Sequence, residues 1–207
     1  MANATATFQP KVSVSTIRSE FPGSKVMIAV GGWGDDIGYF DVSRTDASIE
    51  AFANDIDTML TNTGADGVDI DWEFPGGNGE DYKQVPNSKK VYQIAAFPKL
   101  LSAIRRKIGN KILSIAVPGK KEDMIAYTAE TGPKIWPHVD YINVISYDLM
   151  NRRDNITAHH TSVAGTESVI KNYLSIGAPP QKINLGFAFY AKYFTIGEEC
   201  ISPPRIG

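Results

Sequence analysis

Cysteine is almost missing from this chain. Cys200 is the single one, which excludes an intrachain disulfide and leaves one odd thiol near the C-terminal end. Long apolar runs are missing as well: none approaches the ~18 residues of a membrane span, so no membrane segment is expected. The first ten residues lack the basic and apolar regions of a signal peptide, and no export signal is expected there. Charge of one sign is not in excess: the net charge is −2, which argues against nucleic acid or a membrane surface as partner. No Gly-x-Ser-x-Gly elbow exists for a serine hydrolase. His138, His159 and His160 have no carboxylate or cysteine at ligand spacing, so neither a metal nor a cofactor is expected. Internal repeats and low-complexity tracts are absent. What remains, at 43% hydrophobic and 21% charged residues, is the composition of an ordinary globular protein with apolar residues enough for one core. Two short sequons, at Asn3 and Asn155, match the glycosylation pattern.

The most informative stretch is 66–73, Asp-Gly-Val-Asp-Ile-Asp-Trp-Glu. Val68, Ile70 and Trp72 alternate with Asp69, Asp71 and Glu73, the period of a strand, so the three carboxylates share one face. Like charges in a row destabilise a strand, and three of them need a reason. A solvated edge strand is the bland explanation. It fits poorly with bulky apolar residues opposite the acids and with Gly67 and Pro75 bracketing so short a run. Acids facing a barrel interior, the last at the C-terminal end of its strand, fit better. Asp66 has the opposite parity to Asp69 and is assigned a structural role at the start of the strand.

Around this strand the pattern alternates between short apolar runs and amphipathic helices, the signature of parallel βαβ units. Strands are expected at 25–30, 66–73, 111–117, 139–147 and 183–190. Helices are expected at 13–21, 47–62 with Asp46 as cap, from Pro98 to Gly109, at 122–129 and at 166–176. Residues 74–97 read as a long polar loop leaving the acidic end of the central strand. Gly31-Gly32-Trp33-Gly34 follows the first strand, where its glycines let the backbone lie close beside the acids. The cluster is neither GxGxxG nor a P-loop, so phosphate binding is not expected. Trp136 reads as core or wall rather than a sugar platform.

The motif Asp-Gly-x-Asp-x-Asp-Trp-Glu resembles the signature of the family 18 glycoside hydrolases, the chitinases and their relatives. The resemblance runs from about residue 13 to 194. It implies an α/β fold, a TIM (β/α)8 barrel in which the five expected strands correspond to strands three through seven, so that the barrel is incomplete. It also implies hydrolysis of β-1,4-linked N-acetylglucosamine polymers, with chitin or its oligosaccharides as partner and an extracellular setting. In this family the 2-acetamido group of the substrate is the nucleophile. By resemblance Glu73 is the general acid and base and Asp71 holds the acetamido N–H. Asp69 shares a proton with Asp71. Ser146-Tyr147-Asp148 is similar to the family's Met-x-Tyr-Asp, with Ile145 in the methionine's place. This makes Tyr147 a catalytic partner to the acetamido carbonyl and Asp148 a sugar contact. Gly32 and Trp33, in a segment similar to Ser-x-Gly-Gly with Ala29 for the serine, are further substrate-binding candidates. So is Tyr190, in a segment similar to Phe-Tyr-Gly-Arg with Lys192 for the arginine. The family's strand-eight tryptophan has no counterpart. The rival expectation is a chitin-binding relative with little turnover, or a truncated form: with strands one, two and eight absent, two unpaired sheet edges invite self-association.

Overall fold

In the computed structural model, residues 11–35 and 37–195 are described. Cys200, the Asn3 sequon and the first ten residues lie outside that range; Asn155 and its sequon lie exposed in a loop. The described residues form a five-stranded, wholly parallel sheet with strand order β1-β2-β3-β4-β5. The strands are β1 (Met27–Gly31), β2 (Gly67–Asp71), β3 (Ile112–Val117), β4 (Tyr141–Val144) and β5 (Ile183–Leu185). The helices are α1 (Val14–Glu20), α2 (Ile37–Val42), α3 (Asp46–Thr63), α4 (Val91–Ile108), α5 (Gly132–Ile135) and α6 (Val163–Ser175).

The register shows why the two faces differ. Val68 pairs with Leu113, Ile70 with Ile115, Ile115 with Ile142 and Val117 with Val144, so one face is a continuous apolar surface. It is buried against Leu60 of α3 and Phe97, Leu100, Leu101 and Ile104 of α4. Full burial of each such side chain is worth about 1.5–3 kcal/mol. On the same face Trp72 stacks on Tyr39 of α2, centroids 4.7 Å apart with planes at 5°, and packs edge to face with Phe97, centroids 5.8 Å apart. The aromatic chain continues through Tyr127 and Tyr173 to Trp136, which is therefore core, as expected. The opposite face presents Asp69, Ser114, Asn143 and Asn184.

Several boundaries differ from the sequence expectation. Helix α4 starts at Val91, so Pro98 lies inside the helix and not at its first turn. Burial of Ala96 and Phe97 ahead of the proline extends the apolar stripe and outweighs the lost N–H. The cap of α3 is Thr45, in a reciprocal capping box with Ser48, rather than Asp46; Gly64 ends the helix as expected, at φ 70°. The expected helix at 122–129 is a single 3₁₀ turn, Lys121–Asp123, and α2 and α5 were not foreseen. Strand β5 stops at Leu185 instead of 190, because its partner β4 ends at Val144; a strand needs a ladder to continue.

Candidate functional site

Glycines place β1 against the acidic strand. Gly31 pairs with Asp71, and a Cβ on Gly31 would stand 2.3 Å from the Asp71 carbonyl oxygen. Its φ of 101° is also outside the range of ordinary side chains. Gly32, at φ 116°, donates its N–H to the Asp71 carbonyl at 2.7 Å, and its Cα faces the Asp71 carboxylate. Gly32 thus shapes the bed of the acid.

The acids occupy one face as the alternation requires, and each has a different environment. Asp66, ahead of the strand, accepts from the Val26 N–H at 2.9 Å and from Arg18 at 2.8 Å; these bonds hold its carboxyl down at about 2. Asp69 accepts from the Ser114 hydroxyl and, at 2.8 Å, from the Asn143 amide. The Asn143 carbonyl in turn accepts from Asn184 at 2.9 Å, giving a polar chain that crosses β2 to β5. Ala29, paired with Asp69 from the other side, offers no hydroxyl, and Ser114 supplies one instead. Asp71 is different again: one carboxylate oxygen is buried with no hydrogen-bond partner among the described residues. Burial first, then the neighbouring charge of Asp69, pushes its carboxyl up to about 6.

Glu73 stands past the end of β2 in the wall of a cleft of about 600 Å³. Trp33, Tyr147 and Asp148 line the same cleft, with Ala191, Lys192, Tyr193 and Phe194 along one side. Trp33 is 49% exposed and meets Phe74 edge to face, ring centroids 6.5 Å apart. The Tyr147 hydroxyl is kept protonated by burial and by the charges of Glu73, Asp71 and Asp148. Asp148 accepts from the Tyr190 hydroxyl at 2.6 Å and pairs with Lys192 at 2.6 Å, both on one carboxylate oxygen. Lys192 therefore makes a single-point contact, without the fork an arginine would bring. Glu73, Trp33, Tyr147 and Asp148 are brought to one cleft; Asp69, Asp71, Gly32 and Tyr190 form the layer that supports it.

A second wall was not foreseen. Arg153 reaches both carboxylate oxygens of buried Asp123, at 3.2 and 2.8 Å, and lies over the Tyr82 ring at 5.6 Å. Lys120 donates to both oxygens of Asp154 at 2.7 and 2.9 Å and pairs with Glu122 at 3.1 Å. These contacts tie together the loops that follow β2, β3 and β4, and Tyr82, Lys120, Asp123, Asn151, Arg152 and Arg153 face the cleft. Ser114 and Asn143 also escaped the sequence reading. The signal was present: each is a polar residue inside an otherwise apolar strand.

A parallel sheet with helices on its apolar face and acids at the C-terminal end of a central strand is the architecture of the (β/α)-barrel enzymes. The sequence profile described as Glycosyl hydrolases family 18 matches residues 2–203, and the chain belongs to that family. It is 31% identical to Chitinase A1 of Niallia circulans over 86% of this chain and 28% of that protein. It is 26% identical to Chitotriosidase-1 of Mus musculus over 88% of this chain and 42% of that one. Among solved structures it matches the chitinase domain of the spore coat protein CotE from Clostridium difficile, with a TM-score of 0.70 and 32% identity, over 86% of this chain and 52% of that one. The chain thus spans about half, or less, of the relatives it matches. Its described strands form an open arc of a TIM barrel, in agreement with the incomplete α/β barrel expected from the sequence.

Proposed function

We propose that this chain is a partial catalytic barrel of a chitinase-type hydrolase, one unit across residues 1–207, which cleaves β-1,4-linked N-acetylglucosamine polymers. The observation that carries this reading is the convergence of Glu73, Tyr147 and Asp148 on one cleft, above an Asp71 whose carboxyl is pushed up to about 6. Relatives named as chitinases support the substrate class.

In the proposed reaction Glu73 gives its proton to the glycosidic oxygen as the bond to C1 breaks. The carbonyl oxygen of the substrate's 2-acetamido group attacks C1 from the opposite face and forms a cyclic oxazolinium. Asp71 accepts the acetamido N–H and stabilises the positive charge that develops on the ring. The Tyr147 hydroxyl donates to the acetamido carbonyl and aligns it, and Asp148 holds the same sugar. Glu73, now a carboxylate, takes a proton from water, which attacks C1 and restores the original configuration. Asp69, held by Ser114 and Asn143, is the group with which Asp71 shares its proton.

Two measurements on one oligosaccharide test this. Glu73→Gln should lower turnover of N-acetylchitotetraose by about 10²–10⁴-fold, the usual worth of acid catalysis, and leave binding largely intact. NMR of the first product should show the β-anomer. An α-anomer appearing first, or a variant keeping more than about a tenth of the rate, defeats the assignment.

The same reading makes the working environment extracellular, where chitin is met. No helix among the described residues is long and apolar enough to cross a membrane. It also makes the isolated chain a weak catalyst that associates through its outer strands. The motivation is the pair of open edges at β1 and β5, with Phe187 68% and Phe189 97% exposed beside β5. Sedimentation velocity decides this: a single monomeric boundary across a concentration series rules it out.

A further inference from the structure

The proposed chemistry leaves one largely covered titratable side chain beside Asp148 unused, that of His160. The chain returns to β4 at this point. The Leu149 N–H donates to the His160 carbonyl at 2.9 Å, and the Thr161 hydroxyl donates to the Ser146 carbonyl at 3.3 Å. The imidazole, 12% exposed, stacks on the Tyr190 ring with centroids 5.2 Å apart and planes at 29°. Its Nδ1 is buried, makes no hydrogen bond among the described residues, and lies 3.6 Å from Asp148 Oδ1. That oxygen is the one that Tyr190 and Lys192 already share. Tyr147 completes the group, packed edge to face on Tyr190 with ring centroids 6.1 Å apart.

Two further facts give this cluster weight. Asp148 has a φ of 55°, the left-handed region that a non-glycine residue holds only when its surroundings fix it. The segment after β5 also has few anchors. Gly186 donates to the Val144 carbonyl at 3.0 Å and accepts from Ser146 at 2.6 Å. Beyond that, its hydrogen bonds and ion pairs among the described residues all go to Asp148. Yet Ala191, Lys192, Tyr193 and Phe194 form one side of the cleft.

We infer that His160 is a positioning residue for substrate binding: by stacking on Tyr190 it keeps that hydroxyl on Asp148, and so fixes both the sugar contact and the 191–194 side of the cleft. The inference rests on the reading of Asp148 as a sugar contact. Its mechanism is mechanical, a flat ring that limits where Tyr190 can go, so a phenyl ring should replace the imidazole and a methyl group should not.

The test uses the full chain, with His160→Ala, His160→Phe, Asp148→Asn and the Ala/Asn double variant. His160→Ala should raise KM for N-acetylchitotetraose about tenfold while kcat stays within about twofold, the mark of lost ground-state binding. His160→Phe should recover most of that loss. In the Asp148→Asn background the alanine change should add less than about twofold, because the two act through one contact. A readout without catalysis is trypsin cleavage after Lys192, which His160→Ala should accelerate about fivefold or more by freeing the segment. Unchanged KM and cleavage in His160→Ala, equal losses in the alanine and phenylalanine variants, or full additivity with Asp148→Asn would each overturn the inference. If the unaltered chain hydrolyses nothing, the proposed function fails, and cleavage after Lys192 then decides alone: acceleration in the alanine variant supports His160 as the anchor and equal rates refute it.

Discussion

Asp66 stands just ahead of β2 and Asp71 at its far end, two residues of the same type five positions apart, yet the fold holds one carboxyl at about 2 and the other at about 6. The N-terminal one meets a backbone N–H, the Arg18 guanidinium and, at 3.5 Å, the Lys25 ammonium. Each of these favours the charged form. The C-terminal one is partly buried beside the charge of Asp69 and has an oxygen with no donor among the described residues. Burial and a like charge both favour the neutral form. The difference teaches how a barrel strand divides its labour. Its start is satisfied and contributes stability; its end is left unsatisfied, ready for a ligand that brings a donor of its own.

Exchanging the charge at each end tests this division. The largest effect is expected from Asp71→Asn, which under the proposed function should lower chitooligosaccharide turnover by about 10²-fold by removing the charge opposite the proposed oxazolinium. The same change should raise the melting temperature at pH 7. Asp71 is held up at about 6 against an ordinary 3.8, so the folded chain keeps a proton that the unfolded chain has released. Stability therefore falls as pH rises from about 4 to about 6 and is level beyond. The gain from asparagine should vanish below pH 4. Equal melting temperatures across that range would mean that the strand end is not strained by its charge.

A smaller effect of opposite sign is expected at the other end. Asp66→Asn should destabilise the fold by about 1–2 kcal/mol at pH 7 in urea titrations, through the lost charge-assisted bonds to Val26 and Arg18. With a carboxyl held at about 2 against 3.8, this contribution is whole above about pH 4 and is lost as pH falls toward 2. A deficit that persists at pH 2 would point to packing and not to charge. The smallest effect belongs to Arg18→Met, at about 0.5–1 kcal/mol, because the Arg18 side chain is 43% exposed and solvent screens the pair. A loss as large as that of Asp66→Asn would assign the lowered carboxyl to the guanidinium rather than to the Val26 N–H.

Much of this arrangement was legible before any coordinates. The apolar runs gave all five strands, and the alternation from Asp69 to Glu73 put the acids on one face with Trp72 behind them. Asp66 was separated from the others by parity alone. What failed had local causes. Pro98 pulled the expected helix start seven residues too late, because a proline rule outweighed the apolar spacing of Val91, Ile94 and Phe97. Helix α2 is only six residues long and contains Gly38, so it had no period to read. The strand expected to run to Tyr190 was cut short by its neighbour, a fact of pairing and not of propensity. The ionic wall joins Lys120 to Asp154 and Asp123 to Arg153, thirty or more positions apart, and no periodicity reports such partners. His160 was read only as a metal ligand that lacked companions.

The polar chain beneath the acids carries one more consequence. Asp69 is held by Ser114 from β3 and Asn143 from β4, and Asn143 by Asn184 from β5. A slip of one position in β3 or β4 would turn its polar residue to the opposite face and take away one of the two donors to the carboxylate. During synthesis the acids emerge first and Asn184 long after them. A nascent chain that has made the whole acidic motif still lacks the floor that orients it, and that floor is complete only when β5 docks and Asn184 fixes the Asn143 amide.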